Sequence, residues 1–248
     1  MRRLFEGIAA SLISFTRIPV PFPIATESFQ DATWHIPLIG WLNAALLALT
    51  WQYLAVPLDL KFVLLLLLPV IISGGMHEDG LADAADGLFG GQSPERRLAI
   101  MKEPQVGSFG VLALILYILA YYLALRNIPT FSMLSAICVV FPLARLQGPI
   151  LVAWLPYVRP DAGSKAKAYL GPHRLPILWS LIWVLPVAFF LPTLGFGLTL
   201  VGSFIVVTVS TGLLFKSKLG GITGDCLGAA IKISEIVLLW TFALQFSS

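Results

Sequence analysis

The chain has 248 residues, 58% of them hydrophobic and only 12% charged, with a mean hydropathy of +0.88 and a formal charge of +3. A soluble domain carries about twice that share of charge, so the composition excludes an ordinary soluble globule and points to a polytopic α-helical membrane protein. The alternating segments of a β-barrel are absent, and the modest positive charge, gathered in loops, fits membrane orientation rather than nucleic-acid binding.

Arg2 and Arg3 precede a short apolar stretch that Glu6 interrupts, with no A-x-A site after it. This reads as a retained helix, interfacial or partly embedded, rather than a cleaved signal. Residues 19–23, PVPFP, form a stiff non-helical linker. Apolar spans are predicted at 36–56, 60–76, 109–125, 130–156, 176–193, 195–215 and 226–246, about seven helices in one domain over 1–248. Pro142, Arg145, Gly148 and Pro149 predict a kink or break in the fourth span. Cys138 and Cys226 are far apart, lie in no CxxC pair, and read as small buried hydrophobes.

Lysine and arginine alternate by side. With the N-terminus inside, the cytoplasmic segments hold Arg2, Arg3, Arg17, Arg96, Arg97, Lys102, Arg159, Lys165, Lys167, Arg174, Lys216 and Lys218. The outer loops hold only Lys61 and Arg126, and Arg145 and Lys232 lie within spans. This bias predicts a cytoplasmic N-terminus. It also puts loops 77–108, 157–175 and 216–225 on one face, where they can converge on a single cytoplasm-facing site.

The run HEDGLADAADGLFGG, residues 77–91, carries Glu78, Asp79, Asp83 and Asp86, four of the thirteen carboxylates. If it is helical, Asp79, Asp83 and Asp86 fall within roughly a 60° arc, with Glu78 beside it. Carboxylates so placed repel one another unless a cation sits among them, and oxygen-only ligands suit Mg²⁺, Mn²⁺ or Ca²⁺ rather than Zn²⁺. The plain alternative is a solvated acidic loop. His77 reads as a hydrogen-bonding neighbour. Gly80 and Gly87 weaken a helix and suggest close approach of a ligand to the backbone.

Downstream, Ser93 and Pro94 read as an N-cap and first-turn proline. Arg96, Arg97 and Lys102 suit phosphate oxygens, or serve only as the orientation signal. Gly107, Ser108, Phe109 and Gly110 open the next span as a weak phosphate-cradle candidate. No GxxxxGK[ST] is present, against a P-loop NTPase. Arg145 is an intramembrane arginine, expected either to touch substrate or the acidic cluster or to make structural hydrogen bonds. Arg159, Asp161, Lys165 and Lys167 form a polar loop fit for an anionic substrate. In GGITGDCLGAAIKISE, residues 220–235, Asp225 and Lys232 share a helix face, and Lys232 and Glu235 are spaced to pair. Asp225 reads as a further metal ligand or as a group that orients a substrate hydroxyl.

The stretch GGMHEDGLADAADGLFGG followed by ERRLAIMKEPQVGSFGVLAL resembles the signature region of the cobalamin synthase, or adenosylcobinamide-GDP ribazoletransferase, family. SFTRIPVP, WHIPLIGW, LPYVRPDAG and GGITGDCLGAAIKISE agree in order, so the resemblance covers essentially the whole chain. Asp79, Asp83 and Asp86 match the family pattern, whereas Glu78 stands where a variable, often apolar residue is expected. The resemblance implies a Mg²⁺-dependent last step of coenzyme B12 assembly in a bacterial or archaeal cytoplasmic (inner) membrane. There the ribose hydroxyl of α-ribazole, or of its 5′-phosphate, attacks the cobinamide-side phosphorus of adenosylcobinamide-GDP and GMP leaves.

On that reading Asp79, Asp83 and Asp86, with Glu78, hold metal, and one carboxylate takes the acceptor's proton. Arg145 joins the catalytic set. Arg96, Arg97, Lys102, Gly107, Ser108, Arg159, Asp225 and Lys232 bind substrate. No nucleic-acid partner is expected, and a homo-oligomer stays open. A CDP-alcohol phosphatidyltransferase is the rival of like chemistry, but DGLADAADG at 79–87 lacks the arginine of DGxxAR. A cation-coupled transporter is the rival of another class, with Arg145 as its best feature.

Overall fold

The structure is a computed structural model that describes residues 2–159 and 176–245. Among the described residues it is all-helical, with one isolated parallel bridge between Tyr157 and Ile222. The helices are α1 (Arg2–Phe15), α2 (Ile36–Tyr53), α3 (Leu58–Ser73), α4 (Met76–Gly90), α5 (Pro94–Ile100), α6 (Ser108–Asn127), α7 (Met133–Arg145), α8 (Gln147–Trp154), α9 (Pro176–Val184), α10 (Leu194–Leu219) and α11 (Gly224–Gln245). Segments Thr26–His35, Thr130–Ser132 and Leu185–Phe190 tighten into 3₁₀ turns.

Among the described residues, five helices are long and apolar enough to cross a bilayer: Thr26–Tyr53, Ser108–Asn127, Thr130–Trp154, Leu194–Leu219 and Gly224–Gln245. A sixth is reached only by counting α3 and α4 together, and these meet at 89°. The predicted count of seven is therefore not reached by length. Span 176–193 becomes the shorter apolar helix Ile177–Phe190, because Pro186 removes a backbone donor and the chain tightens into a 3₁₀ turn. Helix α1, with 14 residues, is also too short to cross alone. The predicted break in the fourth span falls at Leu146, between α7 and α8, and PVPFP is non-helical.

Exposed apolar side chains such as Leu112, Ile115 and Leu119 on α6 and Leu198, Ile205 and Leu213 on α10 give these helices faces for lipid. Between helices, backbone groups freed by proline find partners. Pro69 cannot donate to Leu65, and the Tyr121 hydroxyl donates to the Leu65 carbonyl instead, at 3.4 Å. Trp240 Nε1 donates to the Ala120 carbonyl at 3.1 Å, and Gln147 Nε2 to Thr208 Oγ1 at 3.3 Å, tying α11 to α6 and α8 to α10.

Two turns position the site. The first is Gly74–Gly75, with φ of 66° and 77°, a conformation that side chains other than glycine rarely adopt. The Gly75 amide donates to Val70 at 2.8 Å, closing α3, and the chain then sets off along α4. Helix α4, with four carboxylates in 15 residues, is not among the spanning helices. The second is the bridge at Tyr157 and Ile222, in which Val158 donates to Ile222 at 3.0 Å and Ile222 to Pro156 at 2.9 Å. It fixes the chain leaving α8 against the entry to α11.

Helices α2 and α7 cross at Gly40, where an added Cβ meets the Phe141 carbonyl and Pro142 Cα at 2.6 Å. Both obstacles are backbone and cannot swing away. Gly40→Ala is expected to cost about 1–3 kcal/mol, as overpacking does. Thermal unfolding in detergent checks this, and an unchanged midpoint would contradict so close a crossing.

Candidate active site

Helix α4 sends its four carboxylates to three places. Asp86 is buried, and its two oxygens accept the amides of Gly107 at 2.7 Å and Gly110 at 2.8 Å. It thus caps the N-terminus of α6 from another helix, where a carboxylate satisfies orphan donors and the helix dipole. An added Cβ on Gly107 or Gly110 would run into that carboxylate. The anion at the predicted phosphate cradle is therefore Asp86 itself, and Ser108 is the first residue of the helix it caps.

Glu78 turns toward α11. Lys232 Nζ stands 2.8 Å from Glu78 Oε1, off the hydrogen-bonding line, so both Glu78 oxygens still lack a donor. Lys232 also pairs with Glu235 at 3.0 Å, as their spacing predicted. Glu235 in turn accepts Arg145 Nη1 at 3.0 Å. Arg145 and Lys232 are each 1% exposed and Glu235 0%. The group holds two cations and two anions, so its charges balance. Arg145 meets Glu235 rather than the α4 aspartates, and donates to the Phe141 carbonyl at 3.0 Å, the structural alternative weighed for it. Tyr117, for which the sequence gives no signal, sets its ring 5.5 Å from Lys232 Nζ. Burial, with the cations of Lys232 and Arg145, holds His77 well below the usual imidazole range.

Asp79 is exposed and Asp83 half-buried. They lie beside Asp225 in the first turn of α11, because α4 crosses α11 on glycine: a Cβ on Gly80 would stand 3.0 Å from the Asp225 carbonyl oxygen. Gly87 similarly faces Met101 and Arg97. Both glycines admit neighbouring protein, where the sequence suggested a ligand. Arg159 Nη2 holds Asp225 Oδ2 at 2.6 Å and donates to the Met101 carbonyl at 3.1 Å, while its Nε has no partner. Thr223, not singled out from sequence, caps α11 by accepting the Cys226 amide at 3.3 Å. A threonine just before a helix start was its available signal.

The basic residues of 93–102 divide. Ser93 accepts the Arg96 amide as an N-cap, as read from the sequence. Arg97 Nη1 donates to the Lys218 carbonyl at 3.0 Å, and its Nε has no partner. Arg96 pairs with Glu103 at 3.2 Å, and Lys102 is exposed just beyond α5. Asp161, Lys165 and Lys167 lie outside the described residues. Segments 77–108, 155–159 and 216–225 thus meet on one face, as the loop assignment anticipated.

Among the described residues, no three His, Cys, Asp or Glu side chains come close enough to hold a metal by themselves. Mg²⁺ seldom needs such a cage, since it keeps waters and uses one or two carboxylates with substrate phosphates. The electrostatics fit such a cation. Burial and the charges of Asp225 and Asp79 push Asp83 up to about 6, with Arg159 opposing. An all-oxygen set that resists holding its own charge is one that a hard divalent ion relieves.

The family profile described as cobalamin-5-phosphate synthase matches residues 7–243. The chain belongs to this family. Among curated members, the adenosylcobinamide-GDP ribazoletransferase of Chlorobium chlorochromatii is 34% identical over 250 residues, 98% of each chain. Those of Pseudoalteromonas atlantica and Vibrio cholerae are also 34% identical. They cover 94% and 99% of this chain and 89% and 96% of their own. No solved structure matches. The two stretches that carry the resemblance in the sequence, GGMHEDGLADAADGLFGG and ERRLAIMKEPQVGSFGVLAL, fall on α4, α5 and the first turns of α6.

Because Asp83 lies at about 6 in the fold against an ordinary 3.8, the folded state binds its proton more tightly. Its contribution to stability is greatest below pH 4 and is lost as pH rises through about 6. In chelator, the parent protein should lose thermal stability relative to Asp83→Asn between pH 4 and pH 7. Millimolar Mg²⁺ at pH 7 should restore the parent alone. Parallel pH curves for the two proteins would count against this placement of Asp83.

Proposed function

We propose that the protein joins adenosylcobinamide-GDP to α-ribazole, or to its 5′-phosphate, and releases GMP, with the reacting diphosphate held where Asp79 and Asp83 of α4 face Asp225 of α11. The observation that carries this placement is the convergence of those three carboxylates beside Arg159, in a chain of the cobalamin-5-phosphate synthase family.

In this mechanism Asp79 and Asp83 would hold Mg²⁺. When bound, the ion would neutralise the diphosphate and the charge that develops on the GMP leaving group. Arg159 and Arg97 supply positive charge for the phosphate oxygens. Asp225 accepts a hydrogen bond from the attacking ribose hydroxyl and takes its proton as the new phosphorus–oxygen bond forms. Arg159 keeps the Asp225 carboxylate in place, and Thr223 and the Tyr157–Ile222 bridge fix the turn that carries it. Water is kept from the inner side by the buried layer of His77, Lys232 and Glu235.

Purified protein given adenosylcobinamide-GDP, α-ribazole and Mg²⁺ should yield cobalamin and GMP. Asp83→Asn and Asp225→Asn should each lower GMP release by about 10²-fold or more. Absence of GMP from the parent protein removes the reading, and full activity in Asp83→Asn removes its metal role alone.

The same reading places the site on the cytoplasmic side of an inner membrane, supported by the lysine and arginine bias. A membrane-impermeant thiol reagent applied to intact spheroplasts should label Asn127→Cys and spare Glu103→Cys until the membrane is opened. Labelling in the reverse order would turn the topology over.

A further inference from the structure

Helices α4 and α11 cross closely. Gly80 faces the Asp225 backbone, and a Cβ on Gly228 would stand 3.3 Å from His77 Cα. Glycine contacts let two helices approach closely but do not stop one sliding along the other, and a slip of one residue moves α4 by about 1.5 Å. Leu81, Ala84 and Leu88 also pack in one buried cluster with Cys226, Ala229 and Ala230, and a directional charge pair fixes the register more firmly than such apolar packing. Asp86 fixes the far end of α4 to α6. At the near end, one residue before Asp79, the tie to α11 is the ion pair of Glu78 with Lys232.

Lys232 is suited to this task. It lies about 12 Å along α11 from its first residue, inside a helix long and apolar enough to span the bilayer. It is 1% exposed, so water cannot replace its anions. Glu235 draws on the same ammonium, but Arg145 balances Glu235 from α7 and leaves Lys232 one full charge for Glu78. The Tyr117 ring closes the remaining side.

We propose that Lys232 is a positioning residue: through Glu78 it sets the register of α4 along α11 and so keeps Asp79 and Asp83 opposite Asp225. The inference rests on the reading that these carboxylates hold a divalent ion. It removes Lys232 from the substrate-contacting set and gives it an action at one remove, through the first turn of α4.

Mn²⁺ binding to the full-length protein in detergent, followed by electron paramagnetic resonance without substrates, tests it, with thermal midpoints recorded alongside. Lys232→Met should weaken Mn²⁺ binding at least tenfold, in the range seen when a group that orients a metal ligand is lost. Lys232→Arg should recover most of it. Two charge-neutral double variants guard against simple misfolding. Lys232→Met with Glu78→Gln cuts the tie to α4 and leaves Arg145 with Glu235; it should also bind at least tenfold more weakly. Arg145→Met with Glu235→Gln cuts the tie to α7 and leaves Lys232 with Glu78; it should bind within about threefold of the parent. Unchanged or tighter binding in Lys232→Met, as expected if Glu78 is itself a ligand that Lys232 restrains, overturns the proposal. Equal weakening in both double variants, tracking their thermal midpoints, overturns it as well. A parent protein that binds no Mn²⁺ removes the cation reading and this inference with it, whereas a parent that binds beside a Lys232 variant that binds equally removes the inference alone.

Discussion

A lysine and an arginine inside an apolar helix bundle must find anions there, and that requirement organises this protein. Lys232 and Arg145 come from different helices, and Glu235 and Glu78 answer them from α11 and α4. An ion buried in low dielectric costs several kcal/mol unless it is paired, so the four cannot be separated cheaply. Their mutual dependence brings α4, α7 and α11 to a common point. The same requirement explains why α4, too acidic to enter lipid, is covered by α6 and α11 and does not stand free in water.

The acidic helix is best understood by what each carboxylate meets. Asp86 meets backbone donors and joins α4 to α6; Glu78 meets an ammonium and joins α4 to α11. With both ends tied, Asp79 and Asp83 are left on the outer side next to Asp225, where Arg159 partly compensates their charges. Structure and chemistry thus divide one short helix between them. Asp86 and Glu78 hold the scaffold, and Asp79 and Asp83, which crowd Asp225, are the pair proposed above to take a cation and a diphosphate.

Much of this was legible in the sequence, and the limits were physical ones. The apolar spans, the break near Pro142, the Ser93 cap and the Lys232–Glu235 pair are local, set by residues within a turn or two of one another. The convergence of three loops followed from charge bias alone. What escaped were contacts over long separations. Spacing showed that Asp79, Asp83 and Asp86 share a face, but not that the face is divided between solvent and the end of α6. Gly80 and Gly87 announced a close approach without naming what approaches. Arg145 and Glu235 are 90 residues apart, and no local pattern links them. The count of seven spans is not reached by helix length among the described residues, where Pro186 shortens one helix and two glycines turn another, since hydropathy reports how apolar a segment is and not how straight.

The glycine pair at 74–75 fixes how much the length of this chain can change at the junction. Because α4 departs from α3 through only these two residues, the junction has no slack to absorb a change in length. One residue gained or lost there would turn the phase of the whole acidic helix by about 100°, handing Lys232 a histidine or an aspartate in place of Glu78 and pulling Asp86 from the helix end it closes. Insertions elsewhere on this face, such as in the exposed stretch 103–106, carry no such penalty. The hinge is thus a reading frame for side chains, and its length is as constrained as the identity of any residue it aims.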